Sequence, residues 1–437
     1  MNSALLIDFA RRRTKPAIRA WSATAPRPSS GKRLPAVDGL RAIAAMSIVV
    51  VHVWAFSMPG HALLGSAHRV ADTISSLQVG VTLFFTLSGF LLYRPFAAAI
   101  ARHRPHMPIR AYLRNRALRI VPAYWTILIL ACLVFAAASV RGTTGELGVG
   151  RLNPLSFVQA ALLMQDYHPT TVVIGIGPAW SLAVEVVFYL LLPLLVLAAA
   201  RAARAVDGRS RRVLILLAPP LLLLLIGLSG KHVAGHVLPG SPSDGYEANW
   251  HSVVERSFWA QADLFSFGMM IAVVHTEVVD GRLRLPAWWR RLALAAGLIV
   301  FLPCAWTIHQ GELSYLLQST GEAFGIALLF STVMIPRDDG QSSRAVRLLE
   351  TKPLVQIGLV SYSLFLWHVP VIFWLEHHGL LFGGGWDALA LNLMITIGVA
   401  GGLSVATYRF VELPALRQKR PTRSSTAVVP APAAYPD

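Results

Sequence analysis

Long apolar segments of about twenty residues recur along the whole chain and alternate with shorter polar segments. An α-helix needs about 20 predominantly apolar residues to cross the hydrocarbon core of a bilayer, because each residue adds about 1.5 Å along the axis. The pattern predicts ten transmembrane helices, at residues 36–56, 78–98, 119–138, 179–199, 213–228, 258–276, 291–308, 315–335, 354–374 and 387–407. The predicted fold is therefore an all-α, polytopic transmembrane helical bundle.

The composition agrees with this class of protein. Of the 437 residues, 55% are hydrophobic and 14% are charged, whereas about 25% charged residues are usual in a soluble protein. Residues 1–34 are basic and interrupted by proline, which predicts a cytoplasmic arm. Residues 35–415 are predicted to form one membrane domain. Residues 416–437, rich in Pro, Ala, Ser and Thr, are predicted to be a disordered cytoplasmic tail.

The net charge of +17 follows the predicted topology. Lys and Arg are concentrated in the two terminal segments and in alternate connections between spans, while the other connections carry only Arg69, Arg141, Arg151, Lys231 and Arg256. Positively charged loops stay on the cytoplasmic side of a membrane. The pattern therefore predicts a plasma (inner) membrane protein with both termini in the cytoplasm. It favours membrane lipids as partners of the basic surface, and no nucleic acid.

The first predicted span contains two ionisable residues, Arg41 and His52, eleven positions apart. Eleven residues are close to three helical turns, so both side chains lie on one face, roughly 16 Å apart along the axis. Ionisable groups are costly in lipid and are functional candidates where they occur in a span. Arg41 and His52 are therefore predicted to be functional.

Four further ionisable residues share the predicted depth of His52, in the outer third of the membrane: Glu185, Asp263, Glu322 and His368. Their common depth predicts one polar cavity open to the outside. In that cavity His52 would act as general base on a hydroxyl, and Glu185 would orient its ring. The alternative is structural, with His368 a polar contact between helices and the carboxylates buried hydrogen-bond partners.

A second group of charged residues is predicted at the inner surface. Arg116 and Arg119 lie on one face of the third span's entry and, with Arg41, could bind the phosphates of a donor. The distance from Arg41 to His52 is about the reach of an extended pantetheine arm. Ser88 is either a packing residue or an acyl-carrying nucleophile, and packing is favoured because the sequence places no base beside it. Cys132 and Cys304 lie inside spans, so we expect neither a disulfide nor a metal site.

Several short motifs, in this order and with this spacing, resemble those of the acyltransferase 3 family of integral membrane O-acyltransferases. The resemblance extends over nearly all of residues 34–415 and is strongest in the first span, where a basic residue precedes a histidine by eleven positions. The matching elements are Asp38-Gly39-Leu40-Arg41 with His52, Gly80-Val81, Phe84-Phe85, Ser88-Gly89-Phe90, Arg116 and Arg119 with Pro122, Trp180-Ser181-Leu182 with Glu185, Ser361-Tyr362 with His368, and Glu412 with Pro414.

The resemblance implies transfer of a short acyl group, often acetyl, from cytoplasmic acyl-CoA to a hydroxyl of a cell-envelope glycan, a glycolipid or a macrolide. It implies a central role for Arg41 and His52, and donor binding by Arg116 and Arg119. No bound cofactor and no appended soluble hydrolase-like domain are expected. The residues expected to surround the reaction are Asp38, Ser88, Trp180, Asp263, Glu322, Tyr362 and His368.

A second class of function stays open from the sequence alone. Membrane carboxylates and histidines also form the proton relays of transporters. A proton-coupled transporter of a small polar solute is therefore the alternative prediction. The lack of an evident internal repeat and the inner arginine cluster weigh against it. A non-catalytic scaffold would leave the intramembrane polar residues without a role.

Overall fold

The structure, a computed structural model, describes residues 36–57, 73–74, 76–142, 145–239, 245–307, 315–337, 341–383 and 385–419. The predicted arm at 1–34 and the tail from residue 420 lie outside these ranges. Ten long helices dominate the described chain. They are α1 Val37–Ser57, α2 Gly80–Ala101, α3 Ile109–Ile129, α4 Trp180–Arg204, α5 Arg209–His236, α6 Phe258–Val279, α7 Trp289–Thr307, α8 Tyr315–Met334, α9 Lys352–His377 and α10 Trp386–Thr407.

The all-α membrane fold predicted from the sequence is confirmed. Within the described ranges, eight helical segments are long and apolar enough to cross a membrane, and these contain α1 to α6, α9 and α10. The helices α7 and α8 occupy the seventh and eighth predicted spans. The protein is therefore a multi-pass membrane protein.

Three helices depart from the predicted bounds by two turns or more. The fifth span was predicted at 213–228, but α5 extends to His236 and contains Lys231, which was predicted to lie in a connection between spans. The third span was predicted to begin at residue 119, but α3 begins at Ile109 and passes through a π-helical turn, Leu130–Val134. Its first three turns carry Arg110, Arg114 and Arg116, and these charges lower the local hydropathy that predicts a span, although arginine itself favours helix. At the other end, α10 continues through a π-helical turn, Tyr408–Glu412, into a short helix, Leu413–Arg417. This helix extends past residue 415, where the membrane domain was predicted to end.

The helices that carry the predicted site residues pack against one another. Helix α1 packs on α2 and α9, and α6 packs on α2 and α5. The crossing of α2 and α6 depends on two glycines, because a Cβ at Gly89 would overlap the Phe265 carbonyl oxygen and one at Gly268 would overlap that of Thr86. Small residues let helix backbones approach closely in membranes. The crossing fixes the position of the middle of α2, where Ser88 lies.

The remaining described elements are short. Between α3 and α4, strands β1 Ala138–Arg141 and β2 Leu147–Gly150 form an antiparallel hairpin. The helix Pro154–Ala161 follows, where the sequence has an apolar stretch too short to span a membrane. Two further short helices, Trp250–Glu255 and Arg344–Leu349, precede α6 and α9. None of these short elements lines the site.

Candidate active site

A cavity of about 270 Å³ opens between α1, α2, α3, α4, α9 and the short helix after α10. This volume is near the lower end of the roughly 300–1,000 Å³ usual for small-molecule sites. On α2 the lining extends from Val81 to Leu92, about three helical turns or roughly 16 Å. The lining residues are Arg41, Val81, Phe84, Phe85, Leu87, Ser88, Leu91, Leu92, Arg116, Arg119, Ile120, Ser181, Leu182, Glu185, Tyr189, Ser361, Tyr362, Phe365, Leu366, Leu416 and Lys419.

The three arginines predicted to bind the donor all line this cavity. They differ in their partners. Arg119 donates to Glu412 at 3.1 Å, and the second oxygen of that carboxylate accepts from Ser363 at 2.5 Å. Arg116 lies near the rings of Tyr112 and Tyr189, and its Nε is buried with no hydrogen-bond partner in the described part of the chain. A buried donor without a partner is costly, so Arg116 is the group most ready to bind an anion.

Lys419 is a fourth cation in the cavity and is not among the residues predicted from the sequence. Its segment is held by Arg114, which donates to the Gln418 carbonyl at 2.9 Å. Burial, followed by the charges of Arg116, Arg119 and Arg41, lowers the pKa of Lys419 to about 7. Lys419 lies in the segment assigned to a disordered tail, and a single lysine there gives no sequence signal.

Glu185 lies in the same cavity and contacts Ser88 and Tyr189. The Ser88 hydroxyl donates to Glu185 Oε1 at 2.5 Å, and the Tyr189 hydroxyl donates to Oε2 at 2.7 Å. Glu185 was predicted to orient His52, but its carboxylate oxygens contact Ser88 and Tyr189 instead. Equal depth in a bundle does not fix which helix faces which, and Glu185 faces α2.

His52 pairs with His368 instead. The two ring nitrogens, His52 Nδ1 and His368 Nε2, lie 3.2 Å apart, and the rings meet edge to face with centroids 4.9 Å apart. Each Nδ1 also faces a carbonyl oxygen one turn earlier, Ile48 at 2.9 Å for His52 and Leu364 at 3.2 Å for His368. Because a carbonyl only accepts, both Nδ1 atoms carry the proton in the neutral rings. That leaves Nε2 of His52 as its basic nitrogen, the form a general base requires.

An aromatic contact separates the histidine pair from the cavity. Phe365 lines the cavity and contacts the ring of His368, with centroids 5.8 Å apart. Phe84, which also lines the cavity, packs edge to face on Phe365, again at 5.8 Å. In this structure His52 and His368 therefore lie beyond the aromatic wall of the cavity.

The single outer cavity predicted for five ionisable residues is wrong, because those residues divide among three places. Asp263 accepts from Lys231 at 2.5 Å and from Thr320 at 2.6 Å, and both Lys231 and Asp263 are fully buried between α5, α6 and α8. Glu322 belongs to this cluster through its electrostatic interaction with Lys231. Neither Asp263 nor Glu322 lines the cavity.

The other predicted cavity residues have mixed positions. Tyr362 lines the cavity, and its hydroxyl donates to the Ile120 carbonyl at 2.9 Å. Trp180 does not line it, and its ring lies under the Arg256 guanidinium at 4.9 Å. Asp38 lies in the first turn of α1 and interacts electrostatically with Arg41. Across the described ranges, no three His, Cys, Asp or Glu side chains form a group that could hold a metal ion.

The fold and site define a class: polytopic helical membrane proteins with a cation-lined cavity next to a histidine pair. Within that class, the chain belongs to the acyltransferase 3 family, since the family model for its acyltransferase domain matches residues 34–408. The described part of the site thus lies almost wholly inside the matched domain.

Three curated relatives are similar to the chain. Acyltransferase MdmB of Streptomyces mycarofaciens is 32% identical over 37% of this chain and 39% of its own length. Nodulation protein 10 of Rhizobium leguminosarum bv. viciae is 24% identical over 87% of this chain and 92% of its own. O-acetyltransferase OatA of Staphylococcus aureus (strain NCTC 8325 / PS 47) is 23% identical over 89% and 58%. The chain thus spans less than two thirds of MdmB and of OatA. No solved structure matches.

Proposed function

We propose that this protein is an O-acyltransferase of the plasma membrane with both termini in the cytoplasm. It would move a short acyl group, such as acetyl, from cytoplasmic acyl-CoA to a hydroxyl of a cell-envelope glycan, a glycolipid or a macrolide-like acceptor. The observation that carries the proposal is the cavity with four cations, in which Arg116 has a buried Nε without a hydrogen-bond partner among the described residues. The family and the names of MdmB and OatA support the reaction class.

The donor is assigned from charge. Arg41, Arg116, Arg119 and Lys419 line the cavity, while Glu185 is the one acidic residue in the lining. Guanidinium groups bind phosphate oxygens through paired hydrogen bonds. A coenzyme A thioester carries several phosphate charges at one end and a thioester on a flexible arm at the other. With its phosphates at these cations, the arm would extend along α2 toward Phe84 and Phe365.

The acceptor step is assigned to His52. Its Nε2 is the unprotonated nitrogen of the neutral ring, given the contact of Nδ1 with the Ile48 carbonyl. It would take the proton of the acceptor hydroxyl while that oxygen attacks the acyl carbon. His368, which is hydrogen-bonded to His52, would fix the orientation of the His52 ring. Opening of the Phe84–Phe365 contact would let the acyl group reach the histidine.

Replacing Arg116 by alanine tests the donor assignment. A hydrogen bond to a charged group contributes about 1.5–3 kcal/mol, so Arg116→Ala should raise the KM for acyl-CoA roughly tenfold to a hundredfold, with a smaller change in kcat. The exposed Arg110, on the same helix, supplies the control variant Arg110→Ala, for which we expect the wild-type KM. An unchanged donor KM in Arg116→Ala, in protein that inserts normally, would show that the phosphates bind elsewhere.

A further inference from the structure

Ser88 differs from the other serines that line the cavity. The hydroxyls of Ser181 and Ser361 donate to main-chain carbonyls three residues earlier, those of Pro178 at 3.0 Å and Gly358 at 2.8 Å. Such local bonds are the usual arrangement for serine in helices. The Ser88 hydroxyl instead reaches across from α2 to a carboxylate on α4, Glu185, at 2.5 Å. It is therefore paired with a group that can take its proton.

The carboxylate beside Ser88 is itself held in place. Its second oxygen accepts from the Tyr189 hydroxyl at 2.7 Å, one helical turn along α4. Activated nucleophiles in enzymes are generally hydrogen-bonded to a base, and a third group orients that base. Arg41 lines the same cavity and interacts electrostatically with Glu185. Arg41 and Arg116 supply positive charge for an oxyanion formed nearby.

We propose that Ser88 carries the acyl group as a covalent intermediate, with Glu185 as its general base and Tyr189 as the residue that positions Glu185. This inference rests on the proposed function. In the first half-reaction Ser88 Oγ attacks the thioester carbon and passes its proton to Glu185. The C–S bond breaks, the thiolate takes that proton, and coenzyme A leaves as the free thiol. The product is an ester between the acyl group and Ser88.

In the second half-reaction the acceptor hydroxyl attacks this ester. The bond from the acyl carbon to the acceptor oxygen forms as the bond to Ser88 Oγ breaks. The proton that His52 removes from the acceptor returns to Ser88, so that no further reactant is consumed. Such a relay fits the aromatic wall between cavity and histidines, because coenzyme A leaves before Phe84 and Phe365 need to separate.

The test is direct capture of the intermediate. Purified full-length protein is mixed with radiolabelled acetyl-CoA without acceptor, quenched in acid, and digested for mass spectrometry. We expect one acetyl group on the peptide that contains Ser88, none on the peptide with Ser361, and loss of the label when acceptor is added. With both substrates, initial rates should follow a ping-pong pattern.

Variants keep the test independent of folding defects. Ser88→Ala should take no label, and Ser88→Cys should take a label that neutral hydroxylamine removes, as expected of a thioester. Glu185→Gln should slow acylation by roughly 10²–10⁴-fold. Tyr189→Phe should slow acylation by a smaller factor without changing the donor KM. Ser404→Ala, in α10, which does not line the cavity, should behave as wild type.

The failure of this inference is distinguishable from failure of the proposed function. Transfer to acceptor by wild type, with no acetyl group on Ser88 at any time and with Ser88→Ala fully active, would overturn the relay and leave direct transfer intact. Absence of both label and product with every short acyl-CoA would overturn the proposed function, and the relay with it.

Discussion

At the scale of single residues, the hydrogen-bond and ion-pair partners of each arginine determine whether it is available to bind an anion. Arg116 and Arg119 are three positions apart and were assigned the same role from the sequence. Glu412 neutralises Arg119, while the Nε of Arg116 is buried without a partner in the described ranges. Since Glu412 is 293 positions away from Arg119, no local pattern could have separated the two arginines.

Lys419 gives the donor site a pH dependence. Burial and the charges of Arg116, Arg119 and Arg41 lower its pKa to about 7, and the charge of Glu412 acts in the opposite direction. The lysine is thus charged below that pH and neutral above it, so its contribution to phosphate binding should fade as pH rises. We expect the donor KM of wild type to increase from about pH 6 to about pH 8. The donor KM of Lys419→Met should be higher than that of wild type at about pH 6 and should change less with pH.

The control for this experiment is Lys352→Met, because Lys352 is exposed at the start of α9. Steady-state kinetics with acetyl-CoA as the varied substrate is sufficient. Identical pH profiles for wild type and Lys419→Met would contradict a role for Lys419 at the phosphates.

At the scale of the helices, Lys231 and Asp263 join α5 to α6 where neither is exposed. Removing one member of a buried ion pair usually costs about 3–5 kcal/mol, because the other charge stays buried. Lys231→Met should therefore lower the thermal unfolding temperature in detergent strongly. The double variant Lys231→Met with Asp263→Leu should regain part of that loss, since it removes the Asp263 carboxylate that Lys231→Met leaves unpaired, while Glu322 still loses its interaction with Lys231. A double variant as unstable as the single one would contradict this explanation.

The crossing of α2 and α6 supplies a matched pair of glycine substitutions. In Gly268→Ala the new methyl group would overlap the Thr86 carbonyl, whereas in α10 a methyl group at Gly398 would meet nothing within 4 Å. We expect Gly268→Ala to lower the unfolding temperature and to reduce activity, because α2 carries Ser88. Gly398→Ala should keep or slightly raise that temperature, since alanine favours helix by up to about 1 kcal/mol. Equal unfolding temperatures would show that the crossing is not close.

Hydropathy predicted the positions of the helices along the chain well, but it did not predict which helix faces contact each other. The first span, predicted at 36–56, matches α1 at Val37–Ser57. Depth along each helix could be counted in the same way, and this suggested that Glu185 shares a layer with His52. Which face of α4 contacts α2 depends on how the helices pack across the bundle. The close crossing of α2 and α6 at Gly89 and Gly268 is part of that packing. The sequence therefore suggested His52 and Glu185 as important residues, and only the structure joined Glu185 to Ser88.

At the scale of the whole molecule, the cations of the cavity lie at the helix ends that are predicted to face the cytoplasm. The residues that line the cavity with positive charge come from the predicted inner ends of α1 and α3 and from the segment after α10. The same ends carry the Arg and Lys that predict a cytoplasmic location. A phosphate-bearing donor would thus enter from the side where acyl-CoA is made, and the acceptor from the side of His52.

The most direct measurement uses sealed membrane vesicles of both orientations, each holding wild type, His52→Ala or His378→Ala at equal abundance. His378 is exposed near the end of α9 and serves as the histidine control. The vesicles are sealed in the presence of an envelope extract, so that acceptor is present on both sides of the membrane, and labelled acetyl-CoA is then added outside. We expect acceptor labelling only where the cytoplasmic face meets the donor, in wild type and His378→Ala, and a loss of roughly 10²–10⁴-fold in His52→Ala. Equal labelling by His52→Ala, or labelling from the opposite face alone, would contradict the account.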